Sequence, residues 1–208
     1  MSYPLLVVTA VAAEAEAVRA GADPAHVVVE AVGVGPAAAA AGTARLLATG
    51  DYRAVISAGI AGGFAGRAPV GATVIGVRSI CADLGAESPG GFLPIEELGF
   101  GTSLVSADPG LIEAMTTALP HAVTGDVLTL STVTGTAATA VRLAEAFPGA
   151  VAEAMEGFGV AMAAGRTPFA ELRTISNPVG PRDRAAWRLK EAIAALSTAS
   201  AALWTTCG

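Results

Sequence analysis

Leu5-Leu6-Val7-Val8-Thr9-Ala10-Val11-Ala12-Ala13-Glu14-Ala15-Glu16-Ala17-Val18-Arg19 changes character halfway along. Its first part is a continuous apolar, β-branched run, whereas the alanine-rich part that follows carries acids and suits a helix. A strand over Leu5–Ala10 feeding directly into a helix over Ala12–Arg19 is the opening of an α/β unit. The same alternation recurs downstream. Strands are predicted at Val27–Val32, Ala54–Ser57, Thr73–Val77, Val127–Leu130 and Phe169–Ile175. Helices are predicted at Ala37–Ala48, Pro109–Leu119, Ala137–Ala146, Gly157–Ala164 and Arg184–Leu203. Near-continuous apolar strands belong in a sheet covered on both faces, which predicts an α/β layer architecture. Asp108-Pro109 supplies an N-cap followed by a first-turn proline. Gly85 to Gly101 holds glycine, proline and acids without periodicity, and a segment of that kind inside a compact domain is expected to be a lid or binding loop. No internal repeat or domain boundary is visible, so residues 1–208 are expected to form one domain.

Composition narrows the function classes. With 208 residues, 53% of them hydrophobic, the chain can bury a sizeable core and is not a disordered polypeptide. A net charge of −6 supplies no basic face for nucleic acid. Cys81 and Cys207 lack metal-ligand spacing and are too few for a disulfide framework, so both are expected to be buried or incidental thiols. His26 and His121 sit in no catalytic or metal spacing, and Trp187 and Trp204 are expected on a terminal helix as core or interface residues. No secretory leader is expected, because the apolar Leu5–Val8 follows no basic segment and is succeeded by Glu14 and Glu16. The apolar stretch from Ala192 to Trp204 is too short to span a bilayer. A cytoplasmic enzyme with a small-molecule ligand and no membrane contact is the expectation.

Four short motifs carry the chemistry. Val32-Gly33-Val34-Gly35-Pro36-Ala37-Ala38 superficially matches a dinucleotide fingerprint, yet Asp51 sits in a loop and not at the end of a second strand, so a plain strand-to-helix turn is favoured. Ser57-Ala58-Gly59-Ile60-Ala61-Gly62-Gly63 places glycines at the end of a buried strand, where a ligand can approach the backbone; a tight turn without a ligand is the alternative. Met155-Glu156-Gly157 opens a helix, and Arg173-Thr174-Ile175-Ser176-Asn177 ends a strand.

Together these motifs resemble the active site of the nucleoside phosphorylase and nucleosidase family, over nearly the whole chain. The resemblance implies a three-layer α/β/α nucleoside phosphorylase-like fold with a mixed central sheet. The run Ser176-Asn177-Pro178-Val179-Gly180-Pro181-Arg182-Asp183-Arg184 is similar to the branch that hydrolyses futalosine and releases hypoxanthine, a step toward menaquinone. Leu84 to Ser88 and Gly91 to Pro94 look like that branch too. Phosphorylases of the family grip phosphate with an arginine two residues before the first glycine of the Ser57–Gly63 motif, and Ser57 stands there. In the hydrolytic branch a glutamate follows the first strand, which makes Glu14 the water-activating acid and leaves Glu16 as an ordinary surface charge.

The remaining roles follow from the same resemblance. Glu156 would accept from both ribose hydroxyls and favour the oxocarbenium-like sugar, with Met155 as an apolar surface beside it. Ala61 and Gly62 would present backbone to the sugar and base, and Val133 backbone to the purine edge. Asn177 would donate to O6 and accept from N7 of hypoxanthine, oriented by Ser176, whereas aspartate there marks the adenine-acting relatives. Arg173 would lie near the ribose glutamate, with a structural ion pair to Glu156 or Glu153 as its alternative role. Ala154 stands where relatives carry an outer glutamate, and Glu153 is expected on the opposite strand face. Thr132 replaces a stacking phenylalanine, leaving Phe92, Phe100 and Phe158 as aromatic candidates. For the aromatic carboxylate on the 5′ side of futalosine, the expected wall is Phe92, Leu93 and Phe100, lent by a second subunit, with Arg182 or Arg184 as the cation. No metal or organic cofactor is implied, and family members are homo-oligomers. The alternatives are an inosine-type nucleosidase or phosphorylase, and a purine-nucleoside sensor without turnover.

Overall fold

The computed structural model describes residues 3–207, with side chains through Leu203. Strand β1 (Leu5–Thr9) leads to helix α1 (Ala12–Gly21), β2 (Val27–Ala31), α2 (Pro36–Thr49) and β3 (Ala54–Gly63). Then come β4 (Thr73–Cys81), β5 (Gly85–Ser88), β6 (Gly91–Pro94), β7 (Leu104–Ser106), α3 (Pro109–Ala118), β8 (Val123–Thr129) and α4 (Ala137–Ala146). The chain closes with β9 (Ala150–Ala154), α5 (Gly157–Ala164), β10 (Phe169–Pro178), a 3₁₀ turn at Arg184–Ala186 and α6 (Leu189–Cys207).

The main sheet runs β10-β4-β8-β9-β3-β1-β2, with β7 on β4, and its pairings are mixed. β3 also pairs with β10 in parallel, while its last residues, Gly62 and Gly63, pair antiparallel with Glu153 and Ala152 of β9. Strands β3, β10, β4, β8 and β9 therefore form a closed ring, and β1 and β2 extend outward from it. Alternation on β1 assigns its two faces. Leu5 and Val7 pack with Val18 of α1, Met115 of α3 and Leu196 of α6. Leu6 and Val8 pack on the other side with Ala39 of α2 and Val160 of α5. This is the helix-sheet-helix layering that the apolar strands require.

Several predicted boundaries change. β3 continues six residues past Ser57, because its glycine run is held in extended form by β10 on one side and β9 on the other; it is not a tight turn. β9 was not predicted, and neither were β5, β6 and β7. The segment from Gly85 to Gly101 is not structureless: Gly85–Ser88 and Gly91–Pro94 form a hairpin. The predicted helix Arg184–Leu203 breaks, with a single 3₁₀ turn at Arg184–Ala186 and α6 starting at Leu189, so Trp187 precedes the terminal helix. Trp204 and Cys207 lie beyond the described side chains. Asp108 does cap α3, its carboxylate accepting from Leu111 N at 3.0 Å.

Candidate active site

The ends of β1, β3, β8, β9 and β10 converge on one cavity of about 580 Å³. Carboxyl ends of strands in an open α/β sheet are where ligands bind, and this volume suits a small organic molecule. Eight of the predicted site residues line the cavity: Glu14, Ala61, Gly62, Val133, Met155, Glu156, Ser176 and Asn177. Two do not. Arg173 lies behind the floor, 1% exposed. Phe92 sits on the exposed β5–β6 hairpin, its ring against Gly85, away from the cavity in this chain.

Glu14 is in the first turn of α1 and almost fully buried, whereas Glu16 is exposed. Glu14 Oε2 accepts from Ala10 N (3.1 Å) and Val11 N (3.3 Å), and Oε1 accepts from Ile60 N (2.9 Å). Three backbone donors thus fix one carboxylate at the junction of β1, α1 and β3. Gly59 makes this possible. A Cβ there would stand 2.7 Å from Glu14 Oε1 and 2.8 Å from Arg173 Nη1, so any side chain would push apart the two groups that meet across this strand.

Glu156 follows β9 and immediately precedes α5. Its Oε1 accepts from Gly35 N (3.2 Å), its Oε2 accepts from Met155 N (3.3 Å), and Arg173 Nη1 lies 3.5 Å from Oε2. The Gly33-Val34-Gly35 turn therefore serves the site: Gly35, at φ +89°, aims its amide at Glu156 just before Pro36 starts α2.

Arg173 is the centre of a buried charge cluster. Nε donates to Glu171 Oε1 at 2.9 Å, and Nη2 donates to Ser57 Oγ at 3.0 Å. Glu171 also receives the Ser79 hydroxyl. The ion pairs of Arg173 are with Glu156 and Glu171, and Glu153 is not its partner. Burial pushes Glu171 above the usual carboxylate range, against the pull of Arg173 and Ser79. Burial also opposes the charge on Arg173, but Glu171, Glu156 and Glu14 more than restore it and hold the guanidinium above its ordinary value.

The Ser176-Asn177 pair ends β10. Ser176 Oγ lies 2.8 Å from Asn177 Oδ1 and 3.2 Å from Ala61 O, and Asn177 Nδ2 donates to Pro178 O at 3.0 Å. A carbonyl only accepts, so Pro178 fixes which end of the amide is which. One N–H and one lone pair of Asn177 remain for a ligand.

Other placements differ from expectation. Glu153 faces the cavity, not away from it, because its carboxylate is taken up by Thr134: Thr134 N donates to Oε1 at 2.7 Å and the hydroxyl to Oε2. Burial pushes Glu153 above the usual carboxylate range, with the Thr134 donors working against it. Thr132 lines the cavity, whereas Phe100 is exposed and Phe158 is buried outside it. Trp187 and Arg182 line it too. Trp187 carried no signal of this, since helical periodicity runs straight through it. Burial, with Asp83 beside it, raises the Cys81 thiol to about 12, so it is no nucleophile at neutral pH. His26 pairs with Asp23 at the surface and His121 is exposed. Among the described residues, no group of three or more His, Cys, Asp or Glu is placed to hold a metal ion, and no helix is long and apolar enough to cross a membrane.

A half-closed α/β/α sheet with a carboxylate-lined crevice at its strand ends has the layout of a small-molecule site. The model of the Phosphorylase superfamily matches residues 11–207. A futalosine hydrolase of Streptomyces coelicolor is 56% identical over 176 residues, 81% of this chain and 74% of that one. A futalosine hydrolase of Acidothermus cellulolyticus is 48% identical over 223 residues, 98% of this chain and 91% of that one. The chain belongs to the phosphorylase superfamily and, within it, to the futalosine hydrolase family. The fold agrees with solved structures. A 5′-methylthioadenosine/S-adenosylhomocysteine nucleosidase of Colwellia psychrerythraea in complex with adenine superposes with TM-score 0.86 at 22% identity, covering 99% of this chain and 96% of that one. The native futalosine hydrolase of Helicobacter pylori gives TM-score 0.83 at 15% identity, covering 98% and 97%.

Proposed function

We propose that this chain hydrolyses the N-glycosidic bond of futalosine, releasing hypoxanthine and dehypoxanthine futalosine in menaquinone biosynthesis. The observation that carries the reading is that Glu14, Glu156 and the Ser176-Asn177 pair, from three distant parts of the sequence, face one cavity in a chain 56% identical to a futalosine hydrolase. Glu156 accepts from the ribose hydroxyls, and Arg173 beneath it keeps the carboxylate in place. Its negative charge stabilises the positive sugar that develops as the C1′–N9 bond breaks and the electron pair leaves with the base. Met155 supplies an apolar surface to that sugar, and the backbone of Ala61, Gly62 and Val133 borders sugar and base.

Glu14 takes a proton from a water molecule whose oxygen forms the new bond to C1′. The departing base is held by Asn177, whose free N–H meets O6 and whose free lone pair meets the N7 proton, and that proton is supplied from solvent. Adenine would set its amino group against a donor. The chain acts as one domain over residues 1–208, in a cytoplasmic homo-oligomer whose neighbouring subunit lends the hairpin carrying Phe92. Futalosine, inosine and methylthioadenosine compared side by side, with base release followed in the presence and absence of phosphate, test this. Hypoxanthine from futalosine at a rate independent of phosphate is expected. Equal turnover of methylthioadenosine, or a requirement for phosphate, would refute it.

A further inference from the structure

The cavity is acidic, with Glu14, Glu153 and Glu156 in its wall. Among its described lining residues Arg182 is the only basic side chain and Trp187 the only aromatic one. The two are together: the Arg182 guanidinium lies 5.4 Å from the centroid of the Trp187 ring. Arg182 makes no ion pair among the described residues. Arg184 lies over the same ring at 6.0 Å but does not line the cavity.

The backbone holds this arrangement. Asp183 accepts from Ala185 N at 3.2 Å and sets the 3₁₀ turn, and Arg188 N donates to Ser176 O at 2.8 Å. Trp187, one residue before that tie, is pinned beside the end of β10. A neutral purine and its ribose need no cation. A ligand with a carboxylate meets Glu14, Glu153 and Glu156 elsewhere in the wall and, among its described lining residues, finds a cationic side chain only at Arg182. A flat ring with a guanidinium on its face suits an aryl group bearing that carboxylate, by stacking and by charge-assisted hydrogen bonds.

We propose that Arg182 and Trp187 recognise an aromatic carboxylate carried on the 5′ side of the nucleoside, and so set the choice of substrate. This rests on the proposed function. It adds Trp187 to a wall expected from Phe92, Leu93 and Phe100, which stand outside the cavity of their own chain, and selects Arg182 over Arg184.

Steady-state hydrolysis of futalosine, futalosine methyl ester and inosine tests it, using the wild-type chain, Arg182→Gln, Arg182→Lys and Trp187→Ala. The ester keeps the ring and loses the charge. The wild-type chain is expected to prefer acid over ester in kcat/KM, and Arg182→Gln to shrink that preference about tenfold, chiefly through KM. Arg182→Lys should fall between. Trp187→Ala should lower futalosine and its ester more than inosine. An acid-to-ester preference unchanged in Arg182→Gln overturns the inference, as does an equal loss on futalosine and inosine in Trp187→Ala. If the wild-type chain releases no hypoxanthine from futalosine, the proposed function falls and takes this inference with it. Release with an unchanged preference removes the inference alone.

Discussion

Arg173 reaches Glu156 from behind the cavity floor, Nη1 standing 3.5 Å from Oε2, while its Nε holds Glu171 at 2.9 Å. One guanidinium therefore stabilises a carboxylate that faces the cavity and another that never sees it. Removing one partner of a buried pair leaves the rest uncompensated. Arg173→Met is expected to cost roughly 3–5 kcal/mol of stability, with part of that recovered in Arg173→Met/Glu171→Gln. Urea denaturation of both variants measures this. A single variant as stable as the wild-type chain would mean that the cluster carries little net energy.

Glu14 holds three backbone N–H groups, and an amide keeps only one accepting oxygen. Glu14→Gln is therefore expected to lose about 1–3 kcal/mol of stability from the mispaired donors, in addition to a ~10²–10⁴-fold drop in kcat from losing the base. Ligand binding should survive, as calorimetry with hypoxanthine would show. Glu156→Gln should raise KM as well as lower kcat, since it meets the sugar before and during reaction. A Glu14→Gln enzyme that turns over at the wild-type rate would move the search for the base elsewhere, beginning with Glu153, which also lines the cavity.

Asn177→Asp replaces the group that donates to Pro178 O with an oxygen facing a carbonyl at 3.0 Å. The ratio of adenine to hypoxanthine release, measured on matched nucleosides, is expected to rise roughly tenfold or more. Repulsion from Pro178 O favours the protonated acid, so the change should be largest at low pH. A ratio equal to that of the wild-type chain would show that Asn177 does not read the base.

Glu153 gives a pH signature. Its folded value lies above the ordinary one, so below about pH 4.3 both folded and unfolded chains are protonated and nothing is lost. As pH rises past that point the unfolded chain ionises first, and folding must then retain a proton or bury a charge. Glu153→Gln can still accept from Thr134 N and avoids this cost. Its Tm advantage over the wild-type chain is expected to be absent at low pH and to grow through the folded value. Parallel Tm curves across that range would show that Glu153 does not titrate abnormally.

Much of this arrangement is written locally. β1 with α1, and the cap of α3, follow from side-chain pattern alone, and α4 and α5 start and stop where alanine-rich periodicity puts them. Ala150–Ala154 reads as no strand because Ala-Val-Ala-Glu-Ala has weak strand preference; pairing with β8 and β3 makes it one. Gly59 to Gly63 is extended for the same reason. Glu14, Glu156 and Asn177 were legible through motifs, but the cluster linking Arg173 to Glu171 and Ser79 needed strands far apart in sequence. Trp187 was hidden because a tie from Arg188 N to Ser176 O, invisible to periodicity, breaks the helix just where the ring turns inward.

Ser57 accepts a hydrogen bond from Arg173 on the buried side, at the position where the family resemblance sets the phosphate-gripping arginine of the phosphorylases. In the proposed reaction the sugar consequently departs with a plain hydroxyl on C1′ and no phosphate ester. With water in vast excess, the balance lies far toward free base and free sugar, whereas phosphorolysis runs backward readily when base accumulates. On the proposed reaction, a serine at the back of one strand works as a ratchet, biasing what is cleaved toward onward flow.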